Sequence, residues 1–266
     1  IERPHADCAA EISLSPLFRR KWHSLYKAIE KGKVNEKSLT SLFVSQVPKT
    51  GIQVYPLDST MWSHPAARTL DGMVYGPSPT RALKRHSIVQ GHEYSLLGWT
   101  AAKRQSWTPT VTIKRVAPTT SSIAVGIEQV QWLCKQRQAT TVTALDVIVA
   151  DGHYGNHHFF GPLRQEPCAL LARLRRDRVL YGPPGPYKGH GRHAKHGRRF
   201  AFKQPETWGK PDDEGAFEHE RWGKVHLRRW DNLHDKKDAE TILSVICAEV
   251  HQERDEPPPP LWLGYK

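Results

Sequence analysis

Two kinds of alternation between apolar and polar residues divide this chain. Up to about residue 50, apolar side chains recur at helical spacing. Leu17 or Phe18, Trp22, Leu25 or Tyr26, and Ile29 share one face over 16–29. Gly32 ends that helix, and Asn35 or Ser38 caps a second one through Leu39, Leu42, Phe43 and Val44. From Gly51 the pattern changes to strands at 52–57, 73–75 and 87–99. A helix over 121–138 follows, with Ile123, Val125, Ile127, Val130, Trp132 and Leu133 as its apolar positions. The run 142–150 is then almost continuously apolar, which predicts a central strand covered on both faces.

Beyond Asn156 the pattern gives a short helix at 157–164 and an apolar-to-basic stretch at 168–175. A Gly/Pro-rich basic loop spans 181–199, and further strands fall at 200–202, 224–230 and 241–250. Four prolines, 257–260, precede a last strand. Strand, helix and strand in alternation predict a mixed sheet flanked by helices, an α/β fold.

Charge narrows the chemistry. The chain of 266 residues carries 39 Lys and Arg against 27 Asp and Glu, a formal net charge of +12. Such a balance suits a nucleic-acid partner, although a soluble basic enzyme shows it too. No apolar run reaches the roughly 18 residues of a membrane span, so no membrane partner is expected. Cys8, Cys134, Cys168 and Cys247 are scattered without a Cys-x-x-Cys pair. That spacing suggests neither a zinc ribbon nor a disulfide framework, and it fits a reducing cytoplasm.

Two apolar runs stop at an aspartate: Val54-Tyr55-Pro56-Leu57-Asp58-Ser59-Thr60, and Val147-Ile148-Val149-Ala150-Asp151-Gly152-His153-Tyr154-Gly155-Asn156. Carboxylates at the ends of inner strands are placed to hold hard divalent cations through oxygen. Mg²⁺ or Mn²⁺ would offset the repulsion between two such groups. Two ions about 4 Å apart are a common device for cutting and joining phosphodiesters. The plainer reading is that each aspartate caps a turn after its strand.

Four segments, in order, resemble bacterial insertion-sequence transposases of the DDE class. They are Leu57-Asp58-Ser59-Thr60, the 149–156 stretch, the 170–181 stretch with Lys195-His196-Gly197-Arg198-Arg199-Phe200 and Thr207-Trp208-Gly209, and the Pro260-Leu261-Trp262-Leu263 ending. The similarity is to the subgroup with a β-strand insertion between the second and third acids. It implies an RNase H-like fold and a Mg²⁺-dependent nuclease and strand transferase with two ions. The implied substrate is double-stranded DNA, both transposon ends and target, bound by a homodimer in a bacterial, nucleoid-associated setting. On this resemblance Asp58 matches the first acid and Asp151 the second. Tyr154 matches an aromatic often found after the second acid, and His153 stands where relatives carry another polar residue. The third acid, a glutamate, belongs on a helix after the last strand. Glu249, Glu253 and Glu256 precede that strand and do not match, so the chain is expected to be truncated before its catalytic glutamate. The corresponding layout is a helical N-terminal region at 1–50, a core at 51–165, a β-rich basic insertion at 166–256 and a returning core strand from 257.

The remaining candidates are contacts to DNA. Trp62, close after Asp58, is the best-placed stacking residue, with Arg68 beyond it. Arg173, Arg175, Arg176 and Arg178 alternate as on a strand, and Arg175 and Arg178 are the candidates for phosphate contact. Arg192, Lys195, Arg198 and Arg199 make the glycine-rich loop a phosphate-tracking segment, against a solvated loop as the plainer reading. His153, His157 and His158 offer a rival zinc site, and His190, His193 and His196 recur every third residue. Two further readings stay open: a DNA-binding remnant without cleavage, and a metal-dependent phosphohydrolase of small molecules.

Overall fold

A computed structural model describes Glu11, Leu14, Pro16 and residues 19–67, 69–77, 88–100, 108–139, 143–187, 189, 191–251 and 258–266. The chain forms two units, 1–42 and 43–266. In the first, α1 (Trp22–Lys31) buries no side chain. It begins at Trp22 rather than at residue 16, and Leu17 and Phe18 lie outside the described residues. Helix α2 (Glu36–Gln46) follows. Asn35, not Ser38, caps it: the Ser38 amide donates to Asn35 Oδ1 at 3.1 Å.

The second unit is built on one mixed sheet. Strand β1 (Ile52–Ser63) runs six residues beyond the expected end at Leu57. The reason is β3 (Ile88–Gly98), whose antiparallel ladder holds 57–63 of β1. Strand β2 (Val74–Pro77) and β4 (Thr110–Val116) share the other edge of β3. Strand β4 was not expected, because Thr110-Val111-Thr112-Ile113-Lys114-Arg115-Val116 mixes β-branched residues with charge. Helix α3 (Ser122–Gln138) starts at an N-cap in which Ser121 accepts from the Ala124 amide at 3.2 Å. It packs across β3, β4 and β1. Buried Gln129 pins it there, accepting from Ser95 Oγ at 2.6 Å and donating to Thr112 Oγ1 at 2.5 Å.

Strand β5 (Leu145–Ala150) returns parallel to β1, and β6 (Ala169–Leu174) parallel to β5. The order β4-β3-β1-β5-β6, antiparallel on one side of β1 and parallel on the other, is an RNase H-like α/β arrangement. Strand β5 is not covered on both faces as expected. Asp146, Ile148 and Ala150 are buried, whereas Val147 and Val149 are half-buried and Leu145 is exposed. Helix α3 lies on one face, and among the described residues no helix packs on the other.

The short helix α4 (His157–Phe160) precedes β6. After β6 come β7 (Val179–Tyr181), β8 (Arg199–Ala201), a 3₁₀ turn (Pro205–Thr207), β9 (Asp213–His219), β10 (Gly223–Asp235), β11 (Asp238–His251) and β12 (Leu261–Tyr265). Strand β12 pairs with both β6 and β11, so the later strands extend the core sheet instead of standing apart from it. Strand β6 therefore belongs to the core, although the sequence grouped it with the insertion from 166. The basic stretch after it is no strand: the Arg178 amide donates to Arg175 O at 3.1 Å, closing a turn. The alternation read over 173–178 stops at Leu174.

Phe200, Phe202, Trp208, Trp230 and Trp262 form an aromatic core under these strands, with the Phe202 and Trp262 rings stacked at 4.2 Å. Trp262 is 2% exposed. Trp230 and Trp262 are buried in the fold and closed to a nucleobase, and Trp208 packs half-buried against them.

Candidate active site

The register across the three parallel strands ends at Leu57 opposite Ala150 and Ala150 opposite Ala172, all three buried on the α3 face. One residue further along are Asp58, Asp151 and Arg173. Side chains alternate between faces along a strand, so these three turn to the face that α3 leaves uncovered. Strand β1 continues past this point on its β3 side only, which leaves Asp58 open toward Asp151. Partial burial pushes the Asp58 carboxyl above the ordinary carboxylate range. The Asp151 charge adds to that rise, while the Ser59 amide and His153 oppose it. The two aspartates thus sense each other's charge.

The loop after β5 is tied down residue by residue. Asp151 Oδ1 accepts from the His153 amide at 2.8 Å, and the His153 carbonyl accepts from Asn156 Nδ2 at 2.7 Å. Asn156 Oδ1 in turn accepts from the His158 amide at 3.0 Å, capping α4. The His153 ring lies with Nε2 3.1 Å from Ser122 Oγ at the start of α3. Tyr154 is fully buried against Leu57, Gly126 and Phe159, and burial first of all pushes its hydroxyl up to about 12. It is a wedge beneath the acids. Gly155 lies against β6: a Cβ there would stand 2.1 Å from Arg173 O, so only glycine fits.

Asp151, Gly152 and His153 open onto a cleft of ≈ 660 Å³. Trp62 shares the Asp58 face of β1 two alternations further on, 62% exposed, with its ring stacked on His64 at 5.6 Å. Arg175 is exposed at this cleft. Arg178 is not: its Nη2 donates to Gly155 O at 2.9 Å, so it braces the loop behind Asp151. Arg192 and Lys195 are exposed on the basic loop. Arg198 Nη2 donates to Thr207 O at 2.5 Å and Arg199 to Gln204, which ties that end of the loop to the 3₁₀ turn. Arg68 lies outside the described residues.

The histidines do not converge. The His157 and His158 rings stack on each other at 3.9 Å, and His153 is taken up by Ser122. His193 stacks on Tyr187, His196 Nδ1 pairs with His234 Nε2 at 2.9 Å, and His190 lies outside the described residues. Among the described residues no three His, Cys, Asp or Glu side chains form a metal-holding group, so His153, His157 and His158 are not gathered as zinc ligands. Glu249 is paired with Arg228 at 2.6 Å, and Glu253 and Glu256 lie outside the described residues. Two carboxylates at the same level of neighbouring parallel strands are a donor set that fits a hard divalent cation.

A family model described as DDE superfamily endonuclease matches residues 9–234. The chain belongs to the DDE endonuclease superfamily. Among curated proteins none matches the chain. DDE endonucleases act on DNA, and the matched span holds both aspartates, the loop after Asp151 and most of the later strands. No helix among the described residues is long and apolar enough to cross a membrane.

Sequence reasoning missed two structural partners of the site. Ser122 looks like one more polar residue after an N-cap serine, and nothing local marks it as the hydroxyl that meets His153. Asp146 stands in the same apolar run as Asp151, and nothing local marks it as the partner of Arg137.

Proposed function

We propose that this DDE endonuclease is the transposase of an insertion sequence, with Asp58 and Asp151 as its first two catalytic carboxylates. The observation that carries the reading is the row Asp58–Asp151 at the open end of the parallel β1/β5 ladder, with the Asp58 carboxyl held above its ordinary range first by burial and further by the Asp151 charge. Both carboxylates would hold Mg²⁺ or Mn²⁺, two ions in the usual arrangement. When bound, such ions polarise the phosphodiester and lower the pKa of the attacking hydroxyl or water.

This chain's own residues supply placement. The Ser59 and His153 amides fix the two carboxylates, and Tyr154 holds the loop from below. Water attacks the phosphorus at the end of the element. The P–O3′ bond breaks and leaves a 3′-hydroxyl and a 5′-phosphate. The freed 3′-hydroxyl then attacks a phosphodiester of target DNA, and the displaced target oxygen leaves as a new 3′-hydroxyl. Trp62, Arg175, Arg192 and Lys195 are the exposed candidates for contact with terminal repeats and target.

The test is nicking of supercoiled plasmid by the full chain with Mg²⁺ or Mn²⁺. The expected result is nicking that disappears in Asp58→Asn and in Asp151→Asn. Nicking that persists in both variants overturns the assignment. Salt-sensitive binding to duplex DNA with no nicking in either ion would make the chain a binding protein without cleavage. Hydrolysis of small phosphate esters with a salt-independent rate would favour a phosphohydrolase.

A further inference from the structure

The strands after β6 return to the cleft at a single side chain. Beyond β8 the chain turns sharply, and the Phe202 amide donates to Arg178 O at 3.1 Å. The Phe202 ring is buried and stacked on Trp262, so the residue that follows is fixed in position at its backbone. That residue is Lys203. It is exposed, and it lines the same cleft as Asp151. Arg173, Arg175 and Arg176 line the cleft from the β6 side.

Charge then decides what fits. Four cations share this cleft with two acids, Asp151 and Asp177. Arg175 meets Asp177 at 3.7 Å, whereas Arg173, Arg176 and Lys203 have no salt bridge among the described residues. Like charges gathered without partners repel, and a bound polyanion removes that repulsion. The opening is also larger than one phosphate needs. At ≈ 660 Å³ it has room for several linked groups, and its cations come from two separate segments of chain.

We propose that Lys203 is a positioning residue that holds the sugar-phosphate backbone of the DNA strand beside Asp151. Arg173 and Arg176 hold it from the opposite wall. The inference rests on the nuclease reading above, and it deepens that reading by giving the inserted strands a role at the cut. Phosphate contacts carry no base information. The grip of Lys203 is therefore indifferent to sequence and sets where the strand lies relative to the acid.

The experiment measures binding of the full chain to a fluorescent duplex, without divalent ions, across a salt series. Lys203→Ala is expected to reduce the magnitude of the log K against log[salt] slope by about 1. It should weaken binding roughly five- to tenfold near 0.1 M salt, equally for unrelated sequences. Lys203→Arg restores both, a recovery that a purely structural role would not show. An unchanged slope and affinity in Lys203→Ala overturns the proposal, as does wild-type binding that ignores salt. A loss confined to one sequence does so too. None of these readouts needs cleavage. If the wild-type chain binds DNA and never nicks it, the nuclease reading fails while the Lys203 result still stands or falls by itself.

Discussion

Arg137 and Asp146 meet as a buried bidentate ion pair, Nε to Oδ2 at 3.0 Å and Nη2 to Oδ1 at 3.1 Å. The pair joins the last turn of α3 to the start of β5, and Arg137 also donates to the carbonyls of Val47 and Pro48. The Tyr55 hydroxyl donates to Asp146 Oδ1 at 3.3 Å, and its own titration is pushed upward, first by burial and then by the Asp146 charge. Both partners are less than a tenth exposed, so removing one strands the other. Arg137→Met alone is expected to cost about 3–5 kcal/mol in urea unfolding. Arg137→Met with Asp146→Leu should recover most of that loss. A single variant no less stable than the wild type would show that the pair contributes nothing.

Gly155 touches the β6 backbone where no side chain has room. The clash is with a carbonyl oxygen of a central strand, so the strand or the loop must move. Overpacking of this kind costs typically about 1–3 kcal/mol. Gly155→Ala is expected to destabilise by that amount and to displace the loop that carries Asp151 and His153. Nicking should therefore fall further than stability does. Unfolding and plasmid nicking measured below the midpoint check the two effects separately, and an unshifted midpoint would refute the packing argument.

Divalent ions give a third outcome. Near neutral pH the negative charges of Asp58 and Asp151 face each other, and the raised Asp58 titration shows the native state disfavouring that charge. Without divalent ions Asp58→Asn should be at least as stable as the wild type. Mg²⁺ at ten times its Kd stabilises a binding-competent fold by about 1.4 kcal/mol, worth roughly 3–6 °C at this size. The wild type should show that rise, and Asp58→Asn or Asp151→Asn should show little of it. Equal shifts in all three proteins would place the ion elsewhere.

The contrast between Asp146 and Asp151 shows what the sequence could reveal. Both stand in one apolar run, five positions apart, so alternation projects them to opposite faces of the sheet. One is sealed under α3 with Arg137, while the other looks into the cleft. Alternation alone predicts that they differ. It does not say which face a helix covers, and that depends on where α3 lands. The helices and the inner strands were legible because each is a local pattern with strong periodicity. Strands β4 and β9 were not. Every residue of β9 is exposed, so no buried row marks it, and it exists because β10 offers it a ladder. Among the aromatic residues, Trp62 and Trp262 look alike in sequence. Burial separates them in the fold: Trp262 is closed in by the aromatic cluster, while Trp62 is exposed.

The histidines of the later strands predict a pH response. His234 is 2% exposed and its Nε2 lies 2.9 Å from His196 Nδ1. Burial first, and the His196 ring next, hold its titration below the ordinary imidazole value, against Asp235 and Asp238. His157 is held down as well, mainly by burial and against the nearby Asp235 carboxylate. A depressed imidazole means that the unfolded chain takes up the proton before the native one does. Stability from these residues is therefore complete above about pH 6.5 and is lost as the pH falls toward the native titration. The slope is at most about 1.4 kcal/mol per pH unit for each proton. Urea unfolding at pH 7.5, 6.5 and 5.5 should show this decline. His234→Asn removes the titrating group and should flatten part of it, even where the variant is less stable throughout. If the variant and the wild type lose stability in parallel from pH 7.5 to 5.5, His234 is not a source of the acid sensitivity.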